Sequence, residues 1–424
     1  MTGRSLQHPT GRSLGGWLEY IERQHPQAIA LGLERVFEVF SRLEIRFSCP
    51  IFTVGGTNGK GSTCALLEAV LSSAGYRAGL YTSPHLRRYN ERVRIAGREV
   101  DDSALCEAFA AVEHARGAVP LTYFEFGTLA AFFLFSKENL ETLILEVGLG
   151  GRLDAVNVLD ADCAILTSIG IDHVEYLGST REAIGGEKAG IFRSGKPAVV
   201  ADPLPPESVL EQSQKMNSSL LLLGRDFGYR VQGTQWSYWG PAGKRSGLAH
   251  SALRGAMQLR NASAAFAALD SLQEQLPIAM QDVRRGLADV VLPGRFQVLP
   301  GRPQVVLDVA HNPEAAAVLA ANLGESGFAP ETIAVFGMLR DKDIAGVVRA
   351  VAPRITRWHL VTLPGPRGAD AVHLMNVMAQ EKIATPAFRH ESVAAGLAAA
   401  RSEAAESDKI VVFGSFLTVA GAYG

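Results

Sequence analysis

The sequence predicts an α/β protein: a P-loop-containing domain with a mostly parallel sheet and appended antiparallel strands, followed by a smaller Rossmann-like α/β domain. Short apolar runs that end in Gly, Asp or Asn alternate with stretches of helical periodicity, which is typical of parallel sheets. A glycine-rich loop joins one such run to a helix. The 424 residues exceed the roughly 250–300 that a single core accommodates, so two domains are expected.

In the first domain, short apolar runs between glycines and turn-forming residues predict the strands. These predicted strands cover residues 51–54, 78–81, 143–147, 163–168 and 198–201. Apolar residues at helical spacing predict helices over residues 63–74 and 261–272. Between 220 and 253, alternating aromatic residues and a Gly-Pro turn predict an antiparallel hairpin appended to the sheet.

The turn-forming sequence at 292–295 interrupts this pattern and predicts a domain boundary, with residues 1–292 before it and 293–424 after it. A second α/β cycle follows. Its predicted strands cover residues 305–309, 333–336, 360–363 and 410–413. Its predicted helices cover 313–323 and 393–405. Ligands of such sheets bind at the carboxyl ends of the strands, where most of the polar motifs described below are located.

Composition excludes several classes of protein. Hydrophobic residues make up 47% of the chain and charged residues 20%, and the formal net charge of -2 leaves no basic excess to neutralise the phosphates of a nucleic acid. The four cysteines form no CxxC pair, and the N-terminal segment has no apolar core of a secretory signal. The apolar stretch 129–135 is far shorter than the roughly 20 residues of a membrane span and is expected to be a buried helix. A cytoplasmic protein without membrane contact is predicted.

The strongest local motif is the glycine-rich loop between the first strand and its helix. Glycines allow backbone N–H groups to point at phosphate oxygens, and the following helix adds its positive N-terminal end. The expected ATP-binding residues of this loop are Gly56, Thr57, Asn58, Gly59, Lys60, Gly61 and Ser62. Gly61 departs from the general P-loop pattern, in which Ser or Thr directly follows the Lys. The alternative is a glycine-rich turn with an exposed Lys60.

Further polar residues follow other predicted strands. Glu146 could bind magnesium, which prefers oxygen ligands, or form an ordinary surface ion pair. Ser83 could add a hydroxyl ligand, although Ser-Pro is also a common turn starter. His173 follows Asp172 and could serve a metal or be structural. Lys188 stands beside a glutamate, and its residue type alone predicts a surface lysine.

In the second domain, residues 308–313 end a strand and open a helix. Asp308 and His311 could bind a nucleotide across the interdomain cleft, while Asn312 caps the helix and Pro313 occupies its first position. Arg295 could clamp a phosphate when the domains close, or be a solvated charge of the linker.

Together these stretches resemble the folylpolyglutamate synthase/dihydrofolate synthase family, relatives of the Mur ligases. The resemblance extends from about residue 16 to the end, and the intervening Gly61 fits this family's loop. It depends on the order and spacing of residues 56–62, 82–85, 145–157, 172–173, 187–192, 293–295, 308–313 and 414–416.

The resemblance implies roles for individual residues. Lys60, His173 and Lys188 would be catalytic, with Lys188 carbamylated to become a carboxylate-like metal ligand. Ser83 and Glu146 would hold magnesium together with His173. Further ATP contacts would come from Asn261, Arg295, Asp308 and His311. The substrate-binding residues would be Thr122, Phe124, which could stack on a pterin or be a core aromatic, and Arg152.

The activity implied is ATP-dependent ligation of L-glutamate to dihydropteroate and to the γ-carboxylate of folate, through an acyl phosphate. Mg²⁺ would be required, ATP would be a substrate, and no organic prosthetic group is expected. A monomer that binds only small molecules is expected. Two alternatives stay open: another Mur-type amino-acid ligase, or a P-loop NTPase switch, which would have no need of Arg295, Asp308 and His311.

Overall fold

The computed structural model describes residues 11–27 and 29–423, which form three β-sheets covered by helices. The first sheet has the strand order β4-β3-β2-β5-β1-β6-β7-β8 and is parallel from β2 to β8. Its strands are β1 Ile51–Gly55, β2 Ala78–Tyr81, β3 Val93–Ile95, β4 Arg98–Glu99, β5 Thr142–Glu146, β6 Cys163–Leu166, β7 Pro197–Val200 and β8 Ser219–Leu222. All residues of β1, β2, β5 and β6 are buried because helices cover both faces.

The segment between 220 and 253 differs from the predicted hairpin. It first completes β8 of the large sheet and then forms a separate antiparallel sheet of β9 Gly228–Gln232, β10 Gln235–Gly240 and β11 Gly243–Ala249. The aromatic side chains explain the difference, because Trp236 stacks on Phe266 of a helix at 5.9 Å and Tyr238 meets the same ring edge-on at 5.4 Å. These strands therefore pack on a helix instead of extending the edge of the large sheet.

The third sheet has the order β12-β13-β17-β14-β15-β16, with β12 antiparallel to β13 and the other pairs parallel. Its strands are β12 Gln297–Leu299, β13 Gln304–Asp308, β14 Thr332–Phe336, β15 Arg357–Val361, β16 Ala387–His390 and β17 Lys409–Phe413. The predicted α/β fold with a smaller second α/β sheet is confirmed, and β12 and β16 add two edge strands that the sequence patterns did not indicate. The boundary between residues 292 and 293 stays a prediction.

The helices connect the strands and cover the sheets. They are α1 Leu14–Glu22, α2 Glu34–Arg42, α3 Lys60–Ser73, α4 Asp102–Arg116, α5 Tyr123–Ser136, α6 Val174–Leu177, α7 Arg181–Ala189, α8 Glu207–Met216, α9 Met257–Ser271, α10 Met280–Asp289, α11 Pro313–Glu325, α12 Ile344–Val351, α13 Ala371–Gln380, α14 Val393–Glu403 and α15 Phe416–Gly421. The apolar stretch 129–135 lies in α5 and is almost entirely buried. Among the described residues, no helix is long and apolar enough to cross a membrane.

Strand order determines which loops meet. β1 lies between β5 and β6, and their residues are in register, with Val54 opposite Glu146 and Gly55 opposite Leu166. The glycine-rich loop after β1 therefore lies between the segments that follow β5 and β6. Glu146 and the segment around His173 must then face the loop from its two sides.

Candidate active site

A cavity of about 710 Å³ lies at these strand ends, between the first sheet and the loops and helices of the third sheet. Every predicted catalytic, ATP-binding and metal-binding residue lines it. These residues are Gly56, Thr57, Asn58, Gly59, Lys60, Gly61, Ser62, Ser83, Glu146, His173, Lys188, Asn261, Arg295, Asp308 and His311. The structure thus brings together side chains that are up to 255 residues apart in the sequence, from Gly56 to His311.

The glycine-rich loop owes its shape to close packing. Gly56 has φ 140°, and a Cβ there would lie 2.0 Å from the hydroxyl of Thr167, so a side chain is excluded. Gly59, at φ 92°, is the N-cap of α3 and would bring a Cβ within 2.6 Å of Asn261 Oδ1. Lys60 Nζ lies 3.1 Å from the carbonyl oxygen of Gly56, over the loop. The alternative of a turn with an outward-facing lysine is therefore wrong.

Gly61, the departure from the general pattern, faces the cavity. A Cβ at this position would lie 3.8 Å from Arg295 Nη2 and 3.9 Å from Glu146 Oε1. A side chain would therefore project between a cation of one domain and a carboxylate of the other. The next residue, Ser62, is almost fully buried and lines the cavity, whereas Thr63 does not line it.

Glu146 ends β5 and is buried beside the loop, so the alternative of a surface ion pair is wrong. Its Oε2 accepts a hydrogen bond from the backbone N–H of Ser83 at 3.2 Å. Burial raises the pKa of this carboxyl group, and the ammonium of Lys60 and the hydrogen bond from Ser83 oppose the rise. This carboxylate, held at the strand end beside the phosphate loop, offers the oxygen ligands that a magnesium ion prefers.

His173 lies on the other side of the loop, at the N-cap of α6, with φ 53°. Its Nε2 is 3.2 Å from Lys342 Nζ, and that ammonium pairs with Asp172 Oδ1 at 2.6 Å. Burial lowers the pKa of His173, although Asp172 opposes this effect. Burial acts to raise the pKa of Asp172, but Lys342, His173 and His311 together outweigh it and lower that pKa to about 2.

Lys188 corrects the prediction of a surface lysine. It is buried in α7, and its Nζ donates to the carbonyl oxygen of Gly56 at 3.1 Å. Burial, together with the charge of Lys60, lowers the pKa of its amine to about 7. The neighbouring Glu187 pairs with Arg152 at 2.7 Å and not with Lys188.

The second domain contributes a helix cap and three of the predicted cavity residues, Arg295, Asp308 and His311. Asn312 caps α11 by accepting from Ala315 N at 2.9 Å, as predicted, with Pro313 in the first turn. Asp308 accepts from the backbone N–H groups of Phe296 at 2.9 Å and Ala310 at 2.8 Å. These bonds fix the loop that carries the cavity residues.

Two of those residues are cationic or capable of becoming so. The guanidinium of Arg295 lies over the ring of Phe416 at 5.1 Å, and burial lowers its pKa. His311 Nδ1 is 2.8 Å from the carbonyl oxygen of Val309, and burial lowers the pKa of this histidine to about 4. Arg295 is therefore a cavity cation and not a solvated linker charge.

The two domains also contact each other directly at the loop. Asn312 Nδ2 donates to Asn58 Oδ1 at 3.0 Å, and Asn58 Nδ2 donates to Glu314 Oε2 at 2.9 Å. The ion pair of Lys342 with Asp172 crosses the same interface. Sequence reasoning missed Lys342, because the alternating charges around it are those of a solvated loop.

The predicted substrate-binding residues do not line this cavity. Thr122 is the N-cap of α5 and forms a reciprocal pair of hydrogen bonds with Glu125. Phe124 packs on Gly148, where a Cβ would lie 2.5 Å from its ring. Arg152 is more than half exposed and pairs with Glu187. Their contact with a substrate stays a prediction.

Comparisons with known protein families identify the class of protein. Residues 54–269 match the Mur ligase middle domain, and residues 294–416 match the domain described as "Mur ligase, glutamate ligase domain". The protein is therefore a Mur-type ligase, with the central and glutamate ligase domains of that class.

Individual relatives identify the family to which the protein belongs within this class. The dihydrofolate synthase/folylpolyglutamate synthase of Escherichia coli (strain K12) is 44% identical over 408 residues, which cover 96% of this chain and 94% of that protein. E. coli FolC in complex with DHPP and ADP has a TM-score of 0.92 at 43% identity over 97% of both chains. A bifunctional folylpolyglutamate synthase/dihydrofolate synthase with Mn, AMPPNP and L-glutamate bound has a TM-score of 0.90 at 43% identity over 98% of both. The chain belongs to the dihydrofolate synthase/folylpolyglutamate synthase family.

Proposed function

We propose that this enzyme ligates L-glutamate to dihydropteroate and to the γ-carboxylate of folates, using ATP to form an acyl phosphate. The observation that carries the proposal is the single cavity that collects the phosphate loop, Glu146, His173 and the second-domain residues. Family membership supplies the substrates, since the relatives at 44% and 43% identity are named dihydrofolate synthase and folylpolyglutamate synthase.

The chemistry requires activation because a carboxylate is a poor electrophile. One carboxylate oxygen attacks the γ-phosphorus of ATP, a C–O–P linkage forms, and the bond to ADP breaks. The amine of glutamate then adds to the carbonyl carbon, and the tetrahedral intermediate expels phosphate. Such transfers depend on alignment and charge neutralisation. We assign these tasks to the loop N–H groups, Lys60 and Arg295, with Asn261, Asp308 and His311 holding the nucleotide.

A divalent cation fits the residues of the cavity. Among the described residues, no three His, Cys, Asp or Glu side chains lie close enough to hold a metal ion by themselves. Glu146 uses one oxygen to accept from Ser83 N, and its other oxygen faces Gly61 in the cavity. We assign Glu146, the hydroxyl of Ser83 and His173 to Mg²⁺, which would neutralise the phosphate oxygens during transfer.

Lys188 fits carbamylation. Its amine is buried, lies against the phosphate loop, and has a pKa lowered to about 7, so the reactive free base is abundant near neutral pH. Carbamylation would replace the ammonium of Lys188, which lies near that of Lys60, by an anionic carbamate. The catalytic residues proposed are therefore Lys60, His173 and carbamylated Lys188.

The remaining assignments are proposals from the family alone. Thr122, Phe124 and Arg152 would contact the pteroyl acceptor on the side of Gly148 that faces away from the cavity. The ring of Phe124 packs on Gly148. The substrates are small molecules, and we propose a monomeric, cytoplasmic enzyme without nucleic-acid or membrane contact. No organic prosthetic group is required for the proposed chemistry.

ADP release tests the proposal when dihydropteroate and tetrahydrofolate are each supplied with and without glutamate. We expect sustained release only when an acceptor and glutamate are both present. ¹⁸O placed in the acceptor carboxylate should appear in the released phosphate. ATP hydrolysis at a rate independent of both the acceptor and glutamate would favour the NTPase switch. Activity only with a UDP-sugar acid would favour another Mur-type ligase.

A further inference from the structure

His85 lies on the cavity wall two residues after Ser83 and is half-buried. Its Nδ1 is 2.9 Å from Nε of Arg92, which ends the 3₁₀ turn Tyr89–Arg92. This arginine is more than nine-tenths buried. Its guanidinium carbon lies 5.1 Å from the ring centre of Tyr89 and 5.5 Å from that of Tyr123.

The contact with Arg92 determines where His85 carries its proton. A guanidinium nitrogen can only donate, so Nδ1 of His85 must accept and cannot bear a hydrogen. A neutral imidazole that accepts at Nδ1 carries its hydrogen at Nε2. His85 is therefore held in one tautomer, with an N–H donor at the nitrogen opposite the arginine.

Arg92 also places a positive charge behind this donor. In the part of the chain that the structure describes, no carboxylate oxygen lies within 4.0 Å of its guanidinium nitrogens. Two aromatic rings pack on the buried cation, and its charge also acts on the carboxyl group of Glu146. Such a charge strengthens the attraction of the neighbouring N–H for an anion.

The position of His85 indicates which anion. Along the edge of the first sheet, β2 and β6 lie on opposite sides of β1 and its phosphate loop. Asn261 belongs to α9, which packs on β6 and β7, whereas His85 follows β2. In-line transfer requires the acceptor on the side of the γ-phosphate that faces away from ADP. With Asn261 assigned to the nucleotide, His85 is on the opposite side of the phosphate loop, where the acceptor would bind.

We propose that His85 Nε2–H donates a hydrogen bond to the acceptor's carboxylate and that Arg92 positions this donor. The inference deepens the proposed ligase function and depends on it. The donor binds the oxygen that is not phosphorylated. When the glutamate amine adds to the carbon, the C=O electron pair moves onto that oxygen, and it returns as the C–O bond to phosphate breaks. The hydrogen stays on Nε2 throughout, so His85 accepts no proton, and the proton that the amine nitrogen loses leaves with the departing phosphate.

Two substitutions of His85 test the contact with substrate. His85→Phe keeps a planar ring without a donor, and His85→Gln retains an N–H donor. Loss of one oxyanion donor lowers kcat by about 10²–10³-fold. We expect that loss in kcat for His85→Phe and a smaller one for His85→Gln, with calorimetric affinity for a non-hydrolysable ATP analogue unchanged. The exposed His114→Gln, on α4, is the matched control.

The positioning role of Arg92 is tested by the tautomer of His85, which a purely structural role of Arg92 would leave unchanged. Long-range ¹H–¹⁵N spectra of histidine-labelled protein report the tautomer, and the His85→Gln variant assigns the signal. We expect Nε2-protonated His85 in the wild type, a tautomer mixture in Arg92→Met, and restoration in Arg92→Lys. The exposed Arg98→Met is the control. We expect kcat to fall about 10–100-fold in Arg92→Met, as for other positioning partners.

Three results would overturn the inference: wild-type kcat in His85→Phe, an equal loss of nucleotide affinity in that variant, or Nδ1-protonated His85 in the wild type. Failure of the proposed function gives a different result. In that case the wild type itself would release no ADP with either acceptor, whereas the tautomer would still be measurable in the spectra.

Discussion

Lys188 yields the most quantitative prediction because its amine is buried and lies near a second ammonium, that of Lys60. Its pKa falls from 10.5 to about 7. At pH 7 roughly three in ten thousand ordinary lysine side chains are in the free-amine form, whereas a pKa near 7 puts about half of them in that form. The reactive form is thus enriched about 10³-fold. Carbon dioxide should therefore convert Lys188 to a carbamate far more readily than it converts a surface lysine.

The assay is ¹³C NMR of protein equilibrated with labelled bicarbonate, combined with turnover measured on the same samples. We expect one carbamate signal that is absent in Lys188→Ala and unchanged in Lys196→Ala, a half-exposed lysine paired with Asp162. Lys188→Ala should lose activity, and short carboxylic acids should partly restore it because they supply the missing anion. The signal should decrease as the pH falls below about 7, because the protonated amine does not react with CO₂.

Stability gives an independent test of the same burial. Between pH 7 and 10.5 the amine is largely neutral in the native state and protonated in the unfolded state, so the unfolded state binds more protons. The free energy of unfolding of CO₂-free protein should therefore rise with pH in this range, by at most about 1.4 kcal/mol per pH unit from this group. Fully active enzyme that lacks the carbamate signal would refute the reasoning about Lys188.

Three further substitutions test the site and its support. Lys60→Ala should abolish ATP-dependent ligation because it removes the cation above the phosphate loop; near-native turnover would contradict the assignment. Glu146→Gln should weaken binding of Mn²⁺ with nucleotide, measured by electron paramagnetic resonance, because a neutral amide is a poorer ligand; unchanged affinity would exclude Glu146 as a ligand. Asp270→Ala should reduce the free energy of unfolding by about 3–5 kcal/mol, since it leaves Arg245 unpaired. It also removes the partner of the Tyr238 hydroxyl, 2.7 Å away. A loss below about 1 kcal/mol in urea denaturation would show that the buried pair contributes little.

The positions of the cavity residues were predictable from the sequence where local patterns and chemistry coincide. The strand, glycine-rich loop and helix around Lys60 could be identified because strand periodicity, glycine conformation and a basic residue all occur within ten residues. Glu146 followed from the same logic at the end of β5. The cap at Asn312 was predictable because a capping bond joins residues three apart.

Other features depend on contacts between distant residues. Lys188 is buried because α7 packs beneath the loop at Gly56, which lies 132 residues away. Lys342 meets Asp172 across 170 residues, and nothing in its own charged loop indicates that meeting. The three-stranded sheet is separate from the large sheet because Trp236 and Tyr238 pack on Phe266. Periodicity shows that a side chain will be buried, but not which surface will bury it.

The amide of Asn312 has consequences for motion. Its oxygen caps α11 and also accepts from Asn58 Nδ2 at 3.3 Å, and its nitrogen donates to Asn58 Oδ1 in the phosphate loop. Separation of the two domains would leave the α11 cap intact and remove the hydrogen bonds between Asn312 and Asn58. A nucleotide that binds more tightly when Asn58 is held in this way would therefore favour contact between the domains. Reciprocity then follows: whatever brings the lobes together must tighten the grip on nucleotide by the same factor.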